Sequence, residues 1–197
     1  MNPFTNSHIV LAAGKQDRWK PDENVPKVKQ LCVIHNETLI DRIARQFPDP
    51  IVFTRHPEIQ EHFLRCYEPE DNRVTISTLF STRAHWREWT IILLGDVAYG
   101  RKTVKKIKAQ SDTLMFYGDD AEIYAIKFHR SMREYVAHCI QNLVCHPSWE
   151  DRYGKLWNLY RFMNGINFTE HVIGPRFTKV YDCRDFDTKE EYLKYIK

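Results

Sequence analysis

Short runs rich in β-branched and aromatic residues alternate along this chain with segments whose apolar residues recur at helical spacing, and few folds accommodate that alternation. The extended runs are His8 to Leu11, Ile51 to Thr54, Val74 to Ser77, Thr90 to Leu94, Thr113 to Tyr117, Ile123 to Phe128 and Phe177 to Tyr181. Several are apolar without a break, as strands covered on both faces must be. Helical bundles and β-sandwiches are thereby excluded, and an α/β domain with a largely parallel sheet is expected.

Between the strands, Leu39, Ile40, Ile43 and Phe47 share a helical face, as do Ile59, Phe63 and Leu64 behind a Pro57 suited to a first helical turn. Each group should pack on the sheet. Ser131 and Glu134 have capping-box spacing ahead of the stripe Met132, Tyr135, Val136, Cys139, Ile140 and Leu143. Thr188 and Glu191 repeat that spacing before Tyr192, Leu193 and Ile196, so a short terminal helix is expected.

No internal repeat or Gly/Ser linker interrupts the 197 residues, and only 7 glycines are present, so a single domain over 1–197 is the economical reading. Residues 145–175 carry Trp149, Tyr153, Trp157, Tyr160 and Phe162 in an irregular setting. They suit a lid or subdomain over a cleft, or equally core and dimer-contact residues. A net charge of +3 without a long basic run gives no footprint for nucleic acid. No apolar stretch reaches the ~18 residues of a membrane span. The five cysteines, Cys32, Cys66, Cys139, Cys145 and Cys183, are odd in number and scattered, which fits a reducing, cytoplasmic setting better than a disulfide framework. His138, Cys139, Cys145 and His146 do not match common zinc-ligand spacing and read first as core and helix-end residues.

The first strand runs into Leu11-Ala12-Ala13-Gly14-Lys15-Gln16-Asp17-Arg18. Small residues at such a turn free backbone N–H groups for phosphate, and a following arginine can grip phosphates in bidentate fashion. Farther on come Lys29-Gln30-Leu31, Ile34 and Leu39-Ile40. In this order the residues resemble the opening L-A-A-G-x-G-x-R, P-K-x-L or K-Q-L, Ile and G-x-x-L-I of the GT-A-like nucleotidyltransferase superfamily. That superfamily includes sugar-phosphate nucleotidylyltransferases, cytidylyltransferases and molybdenum-cofactor guanylyltransferases. Gln16 replaces the family's second glycine, and the literal Pro-Lys pair is Pro26-Lys27, although counting back from Ile34 favours Lys29 over Lys27.

A second match is Ile91-Ile92-Leu93-Leu94-Gly95-Asp96-Val97, an apolar strand delivering an acid at its carboxyl end, where open α/β sheets bind ligands. The third is Asp185-Phe186-Asp187-Thr188-Lys189-Glu190-Glu191-Tyr192, similar to the family's late D-I-D-T-P-E-D-L with Lys189 in place of proline. The resemblance implies a three-layer, Rossmann-like (GT-A-like) domain with a mostly parallel mixed sheet flanked by helices. It also implies Mg²⁺ on Asp96 together with Asp185 or Asp187, a number of carboxylates suited to that ion. On residue position alone, Asp96 could instead start a turn, and Asp187 and Thr188 could simply cap the terminal helix.

By the same resemblance, Arg18 and Lys29 (or Lys27) serve the phosphates, and Leu11, Ala12, Ala13 and Gly14 seat the nucleoside. Ser77 to Arg83 occupies the stretch that commonly reads the base, with Ser81 a candidate contact, and Lys127 is a candidate acceptor-phosphate ligand. The substrates expected are an NTP and a phosphorylated small molecule, first of all a sugar 1-phosphate, with pyrophosphate released. Partners expected are these small molecules and a second copy in a homodimer, without nucleic acid or membrane. A GT-A glycosyltransferase using an NDP-sugar is the enzymatic alternative, but the central strand lacks D-x-D; a nucleotide-binding protein without catalysis is the other alternative, motivated by Gln16. Asp119-Asp120 reads as a hairpin turn. Lys102, Lys105, Lys106 and Lys108 read as the solvated face of a helix anchored by Val104 and Ile107, ahead of a phosphate-binding patch.

Overall fold

The computed structural model describes residues 6–14, 19–23, 25–145 and 154–196. In chain order the strands are β1 (Asn6–Leu11), β2 (Val33–Ile34), β3 (Glu37–Thr38), β4 (Ile51–Phe53), β5 (Cys66–Tyr67), β6 (Trp89–Leu94), β7 (Val97–Tyr99), β8 (Leu114–Gly118), β9 (Ile123–His129), β10 (Phe177–Lys179) and β11 (Cys183–Asp185). The helices are α1 (Leu39–Gln46), α2 (Pro57–Gln60), α3 (Thr75–Ser81), α4 (Arg101–Ala109), α5 (Arg133–Val144), α6 (Leu156–Met163) and α7 (Lys189–Tyr195). A 7-stranded sheet has the order β10-β8-β9-β6-β1-β4-β5. All neighbours are parallel except at β9, which runs against both β6 and β8.

Strand alternation divides the core into two layers. Ile9, Leu11, Ile51, Phe53 and Ile92 face α3, α5 and α6. Val10, Val52, Ile91 and Leu93 face the opposite way, onto Ile40 and Ile43 of α1 and Val104 and Ile107 of α4. Every second residue thus points to a different helical layer, which is why the strands are apolar throughout. The expected three-layer α/β architecture with its mostly parallel mixed sheet is the one found.

A third apolar cluster joins distant parts of the chain: Trp19, Val25, Cys32 and Ile34 pack with Ala98, Phe186 and Tyr192. β11 pairs antiparallel with β7, and the expected Thr188/Glu191 capping box starts α7. The chain's last segment is therefore held beside its first.

Some local expectations are corrected. Val74 to Ser77 is not a strand but the entry into α3: the Val74 N–H donates to Ser77 Oγ, and Ile76 and Leu79, three apart, are both fully buried. A short β-branched run cannot be told from a buried helix by periodicity alone. The α2 helix is one turn, and Leu64 is exposed instead of packing on the sheet. The helix expected from Ser131 begins later, at Arg133, behind a 3-10 turn in which His129 accepts from the Ser131 N–H. From the 145–175 segment, Trp157 and Tyr160 fill core against Phe177, while Trp149 and Tyr153 lie outside the described residues. Asp119-Asp120 does form the turn between β8 and β9. Among the described residues, no helix is long and apolar enough to cross a membrane.

Candidate active site

The strand order reverses around β1: the chain proceeds outward to β4 and β5, then returns to place β6 on the other side. Open α/β sheets bind ligands at the carboxyl ends of strands at such a switch. A cleft of ≈ 380 Å³ lies there, lined by Leu11, Ala13, Gly14, Lys29, Asp96, Asp185 and Asp187 among others.

Both strand ends are tied down by hydrogen bonds. Ala12 N–H donates to Phe53 O (2.8 Å), and the buried Thr54 hydroxyl donates to Ala12 O (3.0 Å). Gly95 N–H donates to Leu11 O (2.9 Å), and a Cβ at Gly95 would lie 3.0 Å from Ala12 Cβ. Glycine lets the turn after β6 close tightly on the turn after β1, where a side chain would press on Ala12 and Leu11. The Tyr99 hydroxyl, fully buried, accepts from Leu94 N–H (2.9 Å) and donates to Tyr124 O (2.6 Å), fixing the backbone just before Asp96. Space beside Gly14 is open, since an added Cβ there would meet nothing within 4 Å.

Lys29 projects from a 3-10 turn, Lys29–Leu31, and is only 8% exposed. Its ammonium lies 2.6 Å from Asp96 Oδ2 and 4.0 Å from Asp187 Oδ1, and donates to Phe186 O at 3.1 Å. Burial opposes its charge, but Asp96, Asp187 and Asp185 outweigh that cost and hold its pKa above the usual lysine range. Asp185 moves the other way: burial, and then the charges of Asp96 and Asp187, push its carboxyl up to about 6. The start, middle and end of the chain, 29, 96 and 185–187, thus converge on one charged centre.

The donor set suits Mg²⁺ carried by a phosphate ligand. Among the described residues, no three His, Cys, Asp or Glu side chains stand ready as a metal cage. Instead, carboxylates face a lysine, and Mg²⁺ commonly takes one or two of them and completes its octahedron with water and phosphate oxygens.

The other predicted residues are distributed differently. Leu11, Ala13 and Gly14 line the cleft, and Ala12 packs beneath it with Val10 and Leu93. Lys27 is exposed and lines no part of the cleft, whereas Lys29 is buried and lines it. Ser81 is corrected: its hydroxyl accepts from Asp71 N–H (3.2 Å), which holds the preceding loop, while Thr75 and Thr78 line the cleft. Lys127 is corrected as well. Its ammonium is sequestered by the carbonyls of Ile107 (2.9 Å), Lys108 (3.1 Å) and Gln110 (2.6 Å) at the end of α4, so no hydrogen remains for an acceptor phosphate. Arg18 and Gln16 lie outside the described residues.

Sequence reading missed several residues that line the cleft, Trp19, Asn72, Arg73 and Lys155. Arg73 is held by Asp71 (2.7 Å), and Lys155 by Glu122 (2.9 Å). Neither pair has a local motif. Glu122, which also lines the cleft, opens the Glu122 to Lys127 stretch that the family resemblance places beside the acceptor.

No protein-family sequence model and no curated protein sequence matches the chain. Solved structures do match, over nearly its full length. The CTP:phosphocholine cytidylyltransferase of Streptococcus pneumoniae superposes with a TM-score of 0.64 at 14% identity, covering 97% of each chain. The inositol-1-phosphate CTP transferase of T. maritima gives 0.65 at 11% identity, covering 98% of this chain and 96% of that one. The 4-diphosphocytidyl-2C-methyl-D-erythritol synthase of Anaerococcus prevotii gives 0.63 at 10% identity, covering 96% and 95%. The chain therefore has the fold of these nucleotidyltransferases, the superfamily its motifs resemble.

Proposed function

We propose that this chain is a Mg²⁺-dependent nucleotidyltransferase that moves a nucleoside monophosphate from an NTP onto a phosphorylated small molecule. The observation that carries this reading is the pairing of Lys29 with Asp96, flanked by Asp185 and Asp187, at the carboxyl ends of β1 and β6. In the reaction, an oxygen of the acceptor's phosphate bonds to the α-phosphorus in line, and the bond from that phosphorus to the bridging oxygen breaks, releasing pyrophosphate. Little covalent work falls to the protein, so positioning and charge compensation dominate.

Lys29, the counter-ion of Asp96 without ligand, trades that carboxylate for phosphate oxygens and neutralises the charge on the leaving pyrophosphate. Arg18 takes the second phosphate contact, on its place in the motif. Asp96, with Asp187 or Asp185, would hold Mg²⁺, which supplies further charge compensation on the phosphates. The turn from Leu11 to Gly14 seats the nucleoside against Thr75 and Thr78. The Glu122 and Lys155 wall receives the acceptor, a sugar 1-phosphate in the first instance.

Pyrophosphate release from each of the four NTPs, with Mg²⁺ and sugar 1-phosphates, phosphocholine and inositol 1-phosphate as acceptors, tests this. Release with one pair, abolished in Asp96→Ala of unchanged melting behaviour, is the expected result. Silence across the panel, or an Asp96→Ala variant at full rate, removes the proposed mechanism.

A further inference from the structure

A second, larger cleft of ≈ 850 Å³ lies between α1 and α4 and shares no lining residue with the first. Its walls carry Arg42 and Arg45 from α1 and Arg101, Lys105 and Lys108 from α4, against a single carboxylate, Glu37. With histidine counted neutral, this net charge exceeds the +3 of the whole chain, so the remaining residues are slightly negative in sum. The positive charge is therefore concentrated here.

Two polar atoms of residues that line the cleft lack partners. Arg42 Nε and Gln46 Oε1 are both buried and, among the described residues, have no hydrogen-bond partner. Gln46 uses its amide nitrogen on Tyr99 O (2.9 Å), which ties α1 to β7. Glu37 marks the chemistry that fits: it takes two hydrogen bonds from Arg45, at 2.7 and 2.8 Å. That contact, together with the charge of Arg42, holds its carboxyl below the usual range. One carboxylate is thus already bound at the rim, while among the described residues no carboxylate forms an ion pair with Arg42, Arg101, Lys105 or Lys108.

We infer that the cleft between α1 and α4 is a binding site for a small polyvalent anion with two or more phosphate groups, gripped by Arg42 from one helix and Lys105 and Lys108 from the other. Guanidinium and ammonium groups converging from two helices match phosphates spaced along one ligand. The inference stands apart from the proposed nucleotidyl transfer, because the residues differ and binding can be read without turnover.

Titration calorimetry with inorganic tripolyphosphate in EDTA provides the test. In wild type, saturable binding is expected, and it should persist in Lys29→Ala, whose change lies in the other cleft. In the Arg42→Ala/Lys105→Ala double variant the affinity should fall at least about tenfold. Arg42→Lys, which keeps the charge but loses the planar fork, should weaken it by about threefold or more. Lys106→Ala, on the same helix but turned to Lys179 O (3.2 Å), should not change it. Absence of saturable binding overturns the inference. So does binding lost in Lys29→Ala yet kept in the double variant, or an equal loss in Lys106→Ala, which would mean diffuse attraction to a basic helix.

Discussion

Three aspartates converge on one lysine at the carboxyl ends of β1 and β6, whereas five cations and one glutamate line the cleft between α1 and α4. The first cleft is nearly self-compensating: Lys29 sits where positive charge is needed, and the residual strain falls on Asp185, whose proton is held to about 6. The second is predominantly positive and partly exposed. The difference teaches that charge compensation follows burial. Near the sheet, desolvation forces opposite charges together, while on the helical layer water screens repulsion well enough for like charges to remain side by side. Both clefts suit anionic ligands, one through exchange of a lysine and the other through charge already waiting.

Removing the compensating group should have the largest effect. Lys29→Ala leaves Asp96, Asp185 and Asp187 facing one another. In the proposed reaction, turnover should fall by about 10²–10³-fold, the usual cost of losing a preorganised charge on a developing oxyanion. Its melting temperature should fall too, and addition of Mg²⁺ should recover part of the loss by replacing the missing positive charge. A variant with full turnover, or one whose melting ignores Mg²⁺, would break the picture of a self-compensating cleft.

A smaller effect isolates Asp185. Its pKa is raised in the folded chain, from an ordinary 3.8 to about 6, so the folded state holds the proton more tightly than the unfolded one. Such a group costs stability progressively as pH rises from about 4 to about 6 and carries its full penalty above that. Asp185→Asn should therefore stabilise the protein at pH 7.5, by on the order of 1 kcal/mol once solvent screening is allowed for. The gain should vanish below pH 4. Urea denaturation at the two pH values reads the difference, and equal gains at both would show that the strain is not electrostatic. The same substitution should weaken catalysis, the familiar exchange of function for stability.

The legible and illegible parts of the molecule differ for a physical reason. Apolar strands other than the Val74 to Ser77 run, the turn from Leu11 to Gly14, Gly95-Asp96 and the Thr188 cap are local patterns, and each stands where its motif put it. Lys29 could be favoured over Lys27 only by register; the structure buries Lys29 in the cleft and leaves Lys27 exposed. Asn72, Arg73 and Lys155 reach the first cleft through loops whose course depends on Ser81 and Gly154, so no spacing in the sequence announces them. Lys127 misled in an instructive way: a lone lysine inside an apolar strand must find carbonyls, and it found three at the end of a helix. The basic residues of α4 were readable as a charged helical face. That Arg42 and Arg45 stand opposite them is a tertiary fact.

The smallest effect belongs to the second cleft. If like charges there are tolerated only through screening, Lys105→Gln should raise the melting temperature slightly at low salt, by about 1 °C. Glutamine has nearly the helix propensity of lysine, so the change reports charge and not backbone preference. The gain should disappear at about 0.5 M NaCl, where the Debye length falls to roughly 4 Å. Lys106→Gln is the matched comparison, because Lys106 lies on the same helix but donates to Lys179 O and lines no part of the cleft. Removing it should bring no gain, or a small loss. Identical shifts for the two variants would mean that the repulsion is spread over all of α4, and the contrast between a compensated and an uncompensated cleft would reduce to the net charge of one helix.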